Sequence, residues 1–314
     1  MAQQSASLSP RRPIDRERVP HTPLEQTQQG HQLPPTFSSS ATINTQFWLE
    51  HLPWRPTAAW ATVAALLAIG GNPATYDWRM VLLVLLLADP LWGSIWRLAA
   101  GRDEILPLQH SGTRQRIWLP YLLPGSPAAR LFDWNHTQAL PLLFRVGLPS
   151  LLLSSAVALV LTPVALWMTG CVFLICILGW IIRRTLQSST TFLHSLMTVT
   201  MPWLLTLSLF GAELSDSEWA IHLVLITLWT LHNWGEGRNL RTTADSLGLL
   251  LLAVAEIGMI CLLIFLRAPF WLALLVILWL PTWLSVYYRR PVQHLNFIWL
   301  LAMLLSAWAL GQYL

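Results

Sequence analysis

Long apolar stretches alternate with short polar ones along most of this chain. A helix that crosses a bilayer needs about 20 apolar residues. We predict nine membrane-spanning helices, at 57–71, 78–100, 146–161, 164–182, 190–211, 217–235, 247–266, 269–287 and 294–313. The third and fourth are divided at Thr162-Pro163, because the apolar run from Val146 to Ile182 is too long for a single span.

The beginning of the chain has a different composition. Residues 1–46 are rich in Gln, Ser, Thr and Pro, and such a segment cannot bury enough apolar surface to fold. We predict a disordered polar N-terminal tail over 1–46 and a polytopic transmembrane domain over 47–314. Because the first apolar run begins near Thr57, no cleavable signal peptide is expected. The stretch FWLEHLPWRP at 47–56 mixes tryptophans with charges, which is typical of the headgroup layer.

Composition and charge support the membrane interpretation. Of the 314 residues, 54% are hydrophobic and 11% are charged, whereas a soluble domain carries about 25% charged residues. All 19 basic residues are arginines, and with a cytoplasmic N-terminus 17 of them fall on the cytoplasmic side and only Arg79 and Arg267 outside. This asymmetry follows the positive-inside rule. It predicts a multi-pass protein of the cell (inner) membrane, with the N-terminus cytoplasmic and the C-terminus outside.

Two predicted cytoplasmic loops contain an unusual number of polar residues. The loop near 101–145 is much longer than a simple connection and includes apolar patches, so we expect it to lie along the membrane surface. The loop at 232–247 reads HNWGEGRNLRTTADSL and joins two apolar spans.

Nine helices, a large loop after the second and a polar loop after the sixth resemble the UbiA-type intramembrane prenyltransferase superfamily. GWIIRRT at 179–185 resembles the family's aromatic-then-basic junction before its fifth helix. LWTLHNWGEGR at 228–238, with RTT at 241–243 and Leu247-Gly248, resembles the region around the second aspartate motif. The resemblance implies an all-α membrane fold, a nine-transmembrane-helix bundle, and an isoprenoid-related ligand.

The aspartate-rich motifs of that family are missing. Its enzymes hold Mg²⁺ against a prenyl diphosphate with two carboxylate clusters, because a hard cation prefers carboxylate oxygens. After the second predicted span, Arg97 and Arg102 lie where the first cluster is expected, and Arg238 replaces the aspartate of the second. This divergent member is therefore not expected to carry out ordinary Mg-diphosphate chemistry. If it does, a rebuilt metal site has four candidate ligands, Asp103, Glu104, Glu236 and Asp245.

Acids and histidines inside the predicted spans are the other candidates for a site. Asp89 and Glu256 lie near mid-membrane, where a charged acid costs roughly 2.5–3.5 kcal/mol, so each needs a hydrogen-bonding partner or a functional role. We expect them to bond to one another, to a histidine, or to backbone and hydroxyl groups. A tryptophan face beside Asp89 either lines a pocket or packs in the core. The candidate ligand-binding residues are Asp89, Trp92, Trp96, Arg97, His194, His232, Asn233, Glu236, Arg238, Arg241 and Glu256.

Three functions remain open at this point. The first is a protein that binds a lipophilic small molecule, namely an isoprenoid, a quinone or a pigment, with membrane lipids as further partners and no cofactor. The second is an active prenyltransferase that moves a prenyl group from a diphosphate to an aromatic or ring acceptor and requires Mg²⁺. The third is a transporter or a structural subunit of a membrane complex that uses Asp89 and Glu256 as a relay. We find no nucleic-acid-binding module, P-loop or catalytic triad spacing.

Overall fold

The apolar stretches form nine helices in a computed structural model, which describes residues 55–70, 76–100, 147–182, 190–239, 245–288 and 295–313. The tail at 1–46 and the loop near 101–145 lie outside these residues. The first four helices are α1 (Ala58–Ala68), α2 (Trp78–Leu86, a π-helical turn Leu87–Leu91, and Trp92–Ala100), α3 (Leu148–Leu161) and α4 (Pro163–Ile181). The remaining five are α5 (Thr191–Ser195, a π-helical turn Leu196–Thr200, and Met201–Phe210), α6 (Asp216–Asn239), α7 (Ser246–Phe265), α8 (Pro269–Tyr287) and α9 (Asn296–Tyr313).

The predicted all-α architecture is confirmed for the described residues, which contain no β-strand. Six helices are long and apolar enough to cross a membrane, namely α2, α4, α5, α7, α8 and α9. The helices α1 and α3 are apolar but shorter, and α6 carries charged residues near both ends. The chain is thus an all-helical protein with the helices of a multi-pass membrane protein, and six of the nine predicted spans meet this standard.

Local sequence determines several of the helix boundaries. The break between α3 and α4 falls at Thr162, as predicted, and the Thr162 side chain accepts a hydrogen bond from the Ala165 backbone N–H at 3.1 Å. Pro163 follows at the first helical position, where its missing N–H has no helical partner to lose. The Asp77 and Asp245 side chains cap α2 and α7 in the same way.

The two π-helical turns are local departures from regular helix geometry. The turn in α2 contains Pro90, which cannot donate the backbone hydrogen bond that a regular helix requires. Ser94 donates a 2.6 Å hydrogen bond to the Pro90 carbonyl oxygen. Both turns pack against α1, so they lie in the interior of the bundle.

Buried apolar side chains form two main clusters. One joins α1, α5, α6, α7, α8 and α9, and its largest fully buried side chains include Trp203 and Trp229. The other joins α2, α3, α4 and α5 and contains Trp92 and Trp96. Large apolar side chains also cover much of the outer surface, as Trp167 does on α4 at 79% exposure. An apolar surface of this extent is typical of helices that face lipid.

Small residues let α1 and α9 approach closely. Gly70, which follows α1 with φ of +73°, lies against Gly311 of α9. A Cβ added to Gly311 would lie 2.1 Å from the Leu67 carbonyl oxygen, which is far inside any allowed contact. Such contacts between small residues replace hydrophobic packing as a source of helix association in membranes.

Many tryptophans are buried between the helices. Seven have at most 7% of their surface exposed: Trp92, Trp96, Trp203, Trp229, Trp271, Trp279 and Trp299. Several indole N–H groups donate to a side chain on a neighbouring helix; Trp92, for example, donates to Thr169 on α4 at 3.3 Å. Tryptophans of this kind hold helices together through both packing and hydrogen bonds.

Candidate functional site

Helix α6 carries a buried face that combines aromatic and polar side chains. Trp229, His232, Asn233 and Glu236 occupy positions i, i+3, i+4 and i+7, which places them along one side of a helix. All four are at most 2% exposed. Because α6 is otherwise flanked by apolar helices, this face concentrates the polar chemistry of the bundle.

His232 and Glu256 form the centre of the candidate site. The His232 Nε2 atom on α6 lies 3.8 Å from Glu256 Oε1 on α7, and both side chains are almost completely buried. Of the partners expected for Glu256, a histidine is therefore the one that lies beside it. The other carboxyl oxygen, Oε2, accepts a hydrogen bond from the indole N–H of Trp283 on α8.

Two tryptophan rings enclose the imidazole. The ring centroid of His232 lies 5.0 Å from that of Trp229 and 5.4 Å from that of Trp299 on α9. The indole N–H of Trp229 donates to Ser306 at 2.8 Å, and that of Trp299 donates to Thr282 at 3.0 Å. Since both N–H groups are engaged elsewhere, the two rings offer His232 only aromatic surface.

Three polar atoms of this centre make no hydrogen bond in the part of the chain that the structure describes. They are Nδ1 and Nε2 of His232 and Oε1 of Glu256. A buried polar group without a partner costs about 1–3 kcal/mol, and most such groups in proteins are satisfied. A polar headgroup placed at this meeting point of four helices would satisfy these atoms.

The cytoplasmic end of α6, in the predicted topology, is joined to the segment that precedes α1. The fully buried Glu236 forms an ion pair with Arg55, which is 13% exposed, although the contact does not have the geometry of a hydrogen bond. Asn233 accepts a 3.0 Å hydrogen bond from Ser195 on α5 and donates to the Pro56 carbonyl oxygen at 3.4 Å. These contacts hold α5, α6 and the start of α1 together.

A second ion pair lies where α6 gives way to α7. The Arg238 guanidinium donates to both carboxylate oxygens of Asp245, with the longer of the two hydrogen bonds at 3.3 Å. Hydrogen bonding from Arg238 lowers the pKa of Asp245, and the carboxylate in turn raises the pKa of Arg238. Asp245 also caps α7 by accepting from the Gly248 N–H at 3.1 Å, so its role here is structural.

The remaining candidates lie on helices of the other core cluster. Asp89 is 2% exposed within the π-helical turn of α2, and Trp92 and Trp96 on the next turns are buried with it. The Trp96 ring centroid lies 6.1 Å from that of His194 on α5. Asp89 and Glu256 therefore lie on helices of different core clusters. Of the candidate residues, Trp96 lies beside His194, and His232 lies beside Glu256.

Several candidate ligands fall outside the described residues. These are Asp103, Glu104, Arg241 and the side chain of Arg97. Of the four carboxylates considered for a metal, the two that are described, Glu236 and Asp245, are each paired with an arginine. No group of three or more histidine, cysteine, aspartate or glutamate side chains suited to a metal occurs among the described residues. A paired, charge-neutralised carboxylate is a poor donor for Mg²⁺, so these two do not fit that ion as they stand.

Sequence reasoning did not single out Arg55, Trp283 or Trp299 as site residues. Each is separated from its partner by at least 27 residues, and nothing in a single sequence links such positions. Comparison of the chain with protein-family models, with curated proteins and with solved structures gives no match.

Proposed function

We propose that this protein is a UbiA-like, nine-span protein of the cell membrane that binds a lipophilic small molecule and does not carry out ordinary Mg-diphosphate catalysis. The ligand classes are an isoprenoid, a quinone or a pigment. The observation that carries the proposal is the buried His232–Glu256 pair, whose unsatisfied polar atoms lie between tryptophan rings at the junction of four helices. Hydrogen-bonding atoms inside aromatic and apolar walls are the usual composition of a small-molecule site.

The alternative of an active prenyltransferase is less well supported. It requires carboxylates that are free to bind Mg²⁺, whereas Glu236 and Asp245 each contact an arginine. An arginine can hold a diphosphate by bidentate hydrogen bonds, but Arg55 and Arg238 are already paired with acids. The transporter alternative requires Asp89 and Glu256 in one relay, and they lie on helices of different core clusters.

The test is purification in a mild detergent followed by mass spectrometry of the extracted lipophiles. We expect an isoprenoid, a quinone or a pigment to co-purify at a defined ratio with the wild-type protein, and at a reduced ratio with Glu256→Leu. A parallel thermal-shift measurement adds Mg²⁺ and farnesyl diphosphate, for which we expect no stabilisation.

Two outcomes would overturn the proposal. A preparation that contains only bulk membrane lipid, and that is not stabilised by any added isoprenoid, quinone or pigment, would exclude lipophile binding. A Mg-dependent stabilisation by farnesyl diphosphate, with release of diphosphate, would give the enzyme function priority.

A further inference from the structure

The spacing of His232 and Glu256 restricts the kind of headgroup that the centre can hold. Their facing atoms, Nε2 and Oε1, are 3.8 Å apart, which is too long for a direct hydrogen bond. One oxygen atom placed about 2.8 Å from each of them would bond to both. A hydroxyl group is suited to this position, because it can donate to one of these atoms and accept from the other.

The charge of the centre argues against an anionic headgroup. Glu256 contributes a buried carboxyl group whose second oxygen is already bonded to Trp283. A phosphate or diphosphate needs cationic partners in a medium of low dielectric constant, and among the described residues no arginine contacts His232 or Glu256. A carbonyl oxygen is a poorer match, because it only accepts and would need a hydrogen on both Nε2 of His232 and Oε1 of Glu256.

The position of Trp283 indicates where an apolar tail would leave the centre. Trp283 contacts Glu256 on its inner side, yet the residue is 39% exposed at the outer surface of α8. Its neighbours Leu280 and Leu284 on α8, and Ile257 on α7, are at least 53% exposed. Trp283 therefore connects the centre to the outer surface at the contact between α7 and α8.

We propose that His232 and Glu256 bind the hydroxyl head of a neutral lipophile, an alcohol or a phenol, whose tail passes beside Trp283 between α7 and α8 into the bilayer. This inference rests on the proposed function and narrows its ligand class to molecules that carry a free hydroxyl group. The two sources of such a head are a prenyl alcohol and an alkyl-substituted benzoquinol, and the two arms of the test distinguish them.

Binding is measured with the full chain in nanodiscs, using pairs of probes that share one tail. The first arm compares farnesol with farnesyl methyl ether and with farnesyl diphosphate, and the second compares decyl benzoquinol with its quinone. A bridging hydroxyl contributes the equivalent of one or two net hydrogen bonds, so we expect the ether or the quinone to bind about ten-fold more weakly. Farnesyl diphosphate is expected not to displace the hydroxyl probe that binds. Preference in the first arm identifies a prenyl alcohol, and preference in the second identifies a quinol.

Variants show whether the preference arises at this centre. Glu256→Leu, which replaces the acid by an apolar side chain, should remove the preference for the hydroxyl probe in protein whose circular dichroism shows that it is folded. Trp271→Phe is the control, since it deletes an indole N–H on α8, the helix of Trp283, that donates to Gln312 and not to Glu256. It should leave the preference unchanged. A farnesol or benzoquinol analogue with a diazirine in its tail should label peptides within 246–288.

The failure of this inference can be told apart from the failure of the proposed function. Equal affinities for the hydroxyl probes and their ether or quinone partners, or a preference that survives in Glu256→Leu, would overturn the hydroxyl site and leave lipophile binding intact. The absence of binding by every probe, together with the absence of any co-purified lipophile, would overturn both. Labelling confined to peptides outside 246–288 would overturn the route between α7 and α8.

Discussion

Glu236 is a fully buried carboxylate at one end of α6, and Arg55 is its partner in the ion pair. Removing one member of a buried pair is strongly destabilising, because the other is left as an uncompensated charge. Replacing both members by apolar residues is often neutral for the same reason. A comparison of single and double variants of this pair therefore separates the cost of an unpaired buried charge from the cost of lost packing.

We predict that Arg55→Met lowers the free energy of unfolding by about 3 kcal/mol, the lower end of the range for buried pairs because Arg55 is partly exposed. The double variant Arg55→Met with Glu236→Leu should recover most of this loss. Thermal unfolding of the detergent-solubilised protein, followed by circular dichroism, measures both. Additive losses in the double variant would show that the two side chains do not interact.

Asp245 gives a second prediction at this scale, which concerns pH. Hydrogen bonding from Arg238 lowers its pKa in the folded protein, so the carboxylate stabilises the folded state above the unfolded pKa of about 4. That contribution is lost as the pH falls from about 4 through the lower, folded-state pKa. Asp245→Asn keeps a side chain able to cap α7 but removes the charge. The gap in melting temperature between wild type and variant should therefore narrow as the pH is lowered below 4, and a gap independent of pH would contradict the assignment.

At the scale of elements, the helix boundaries followed from the apolar runs because a break in hydrophobicity and a helix stop signal coincide. Thr162-Pro163 is an example, since the proline begins a new helix and the threonine caps it. The π-helical turns could not be located in the same way. Pro90 predicts a disturbance in α2, but whether a helix kinks or gains a residue depends on the neighbours it packs against. The turn at Leu196–Thr200 comes just before Pro202, which cannot donate a hydrogen bond to the Thr198 carbonyl four residues earlier, so a proline disturbs α5 as well.

The contact between α1 and α9 yields a prediction for an element. Gly311→Ala places a methyl group against the Leu67 carbonyl oxygen and must push the two helices apart. We expect a loss of about 1–3 kcal/mol, the usual effect of overpacking. Gly170→Ala on α4 is the matched control, because a Cβ there meets no atom within 4 Å.

In the control variant, alanine should raise stability by up to about 1 kcal/mol, since glycine inside a helix is unfavourable. Both variants are compared by thermal unfolding in the same detergent. Equal shifts in Gly311→Ala and Gly170→Ala would mean that α1 and α9 are not held in close contact.

For the whole molecule, the candidate site was only partly predictable. His232 and Glu256 were recognisable one by one, because a titratable side chain in an apolar span requires an explanation. Their pairing was not, because it depends on the rotation of α6 against α7, and the apolar surfaces on all sides of these helices give no preferred direction. The arginine partners of Glu236 and Asp245 likewise depend on tertiary structure, and they change a possible metal ligand into an ion pair.

The number of membrane spans remains a prediction, and the lengths of α1 and α6 show which helices decide it. At about 1.5 Å per residue, the 11 residues of α1 extend about 16 Å, well short of the roughly 30 Å hydrocarbon layer. The 24 residues of α6 are long enough, and its acids and Arg238 lie near its ends, so residues 219–235 carry no Asp, Glu or Arg. We therefore expect α6 to cross the bilayer, and α1 to complete its crossing with the flanking residues.

Reporter fusions distinguish nine spans from six. With nine spans and a cytoplasmic N-terminus, alkaline phosphatase should be active when fused within 212–214 or at the C-terminus, and inactive when fused after 241. Green fluorescent protein should give the reverse pattern. If α6 crosses the membrane, the fusions within 212–214 and after 241 must give opposite signals. If α1 crosses it, a phosphatase fused within 71–75 must be active. A C-terminus on the same side as the N-terminus would mean an even number of spans. In that case the distribution of 17 arginines against two would lose its meaning, since it depends on the alternation of all nine helices.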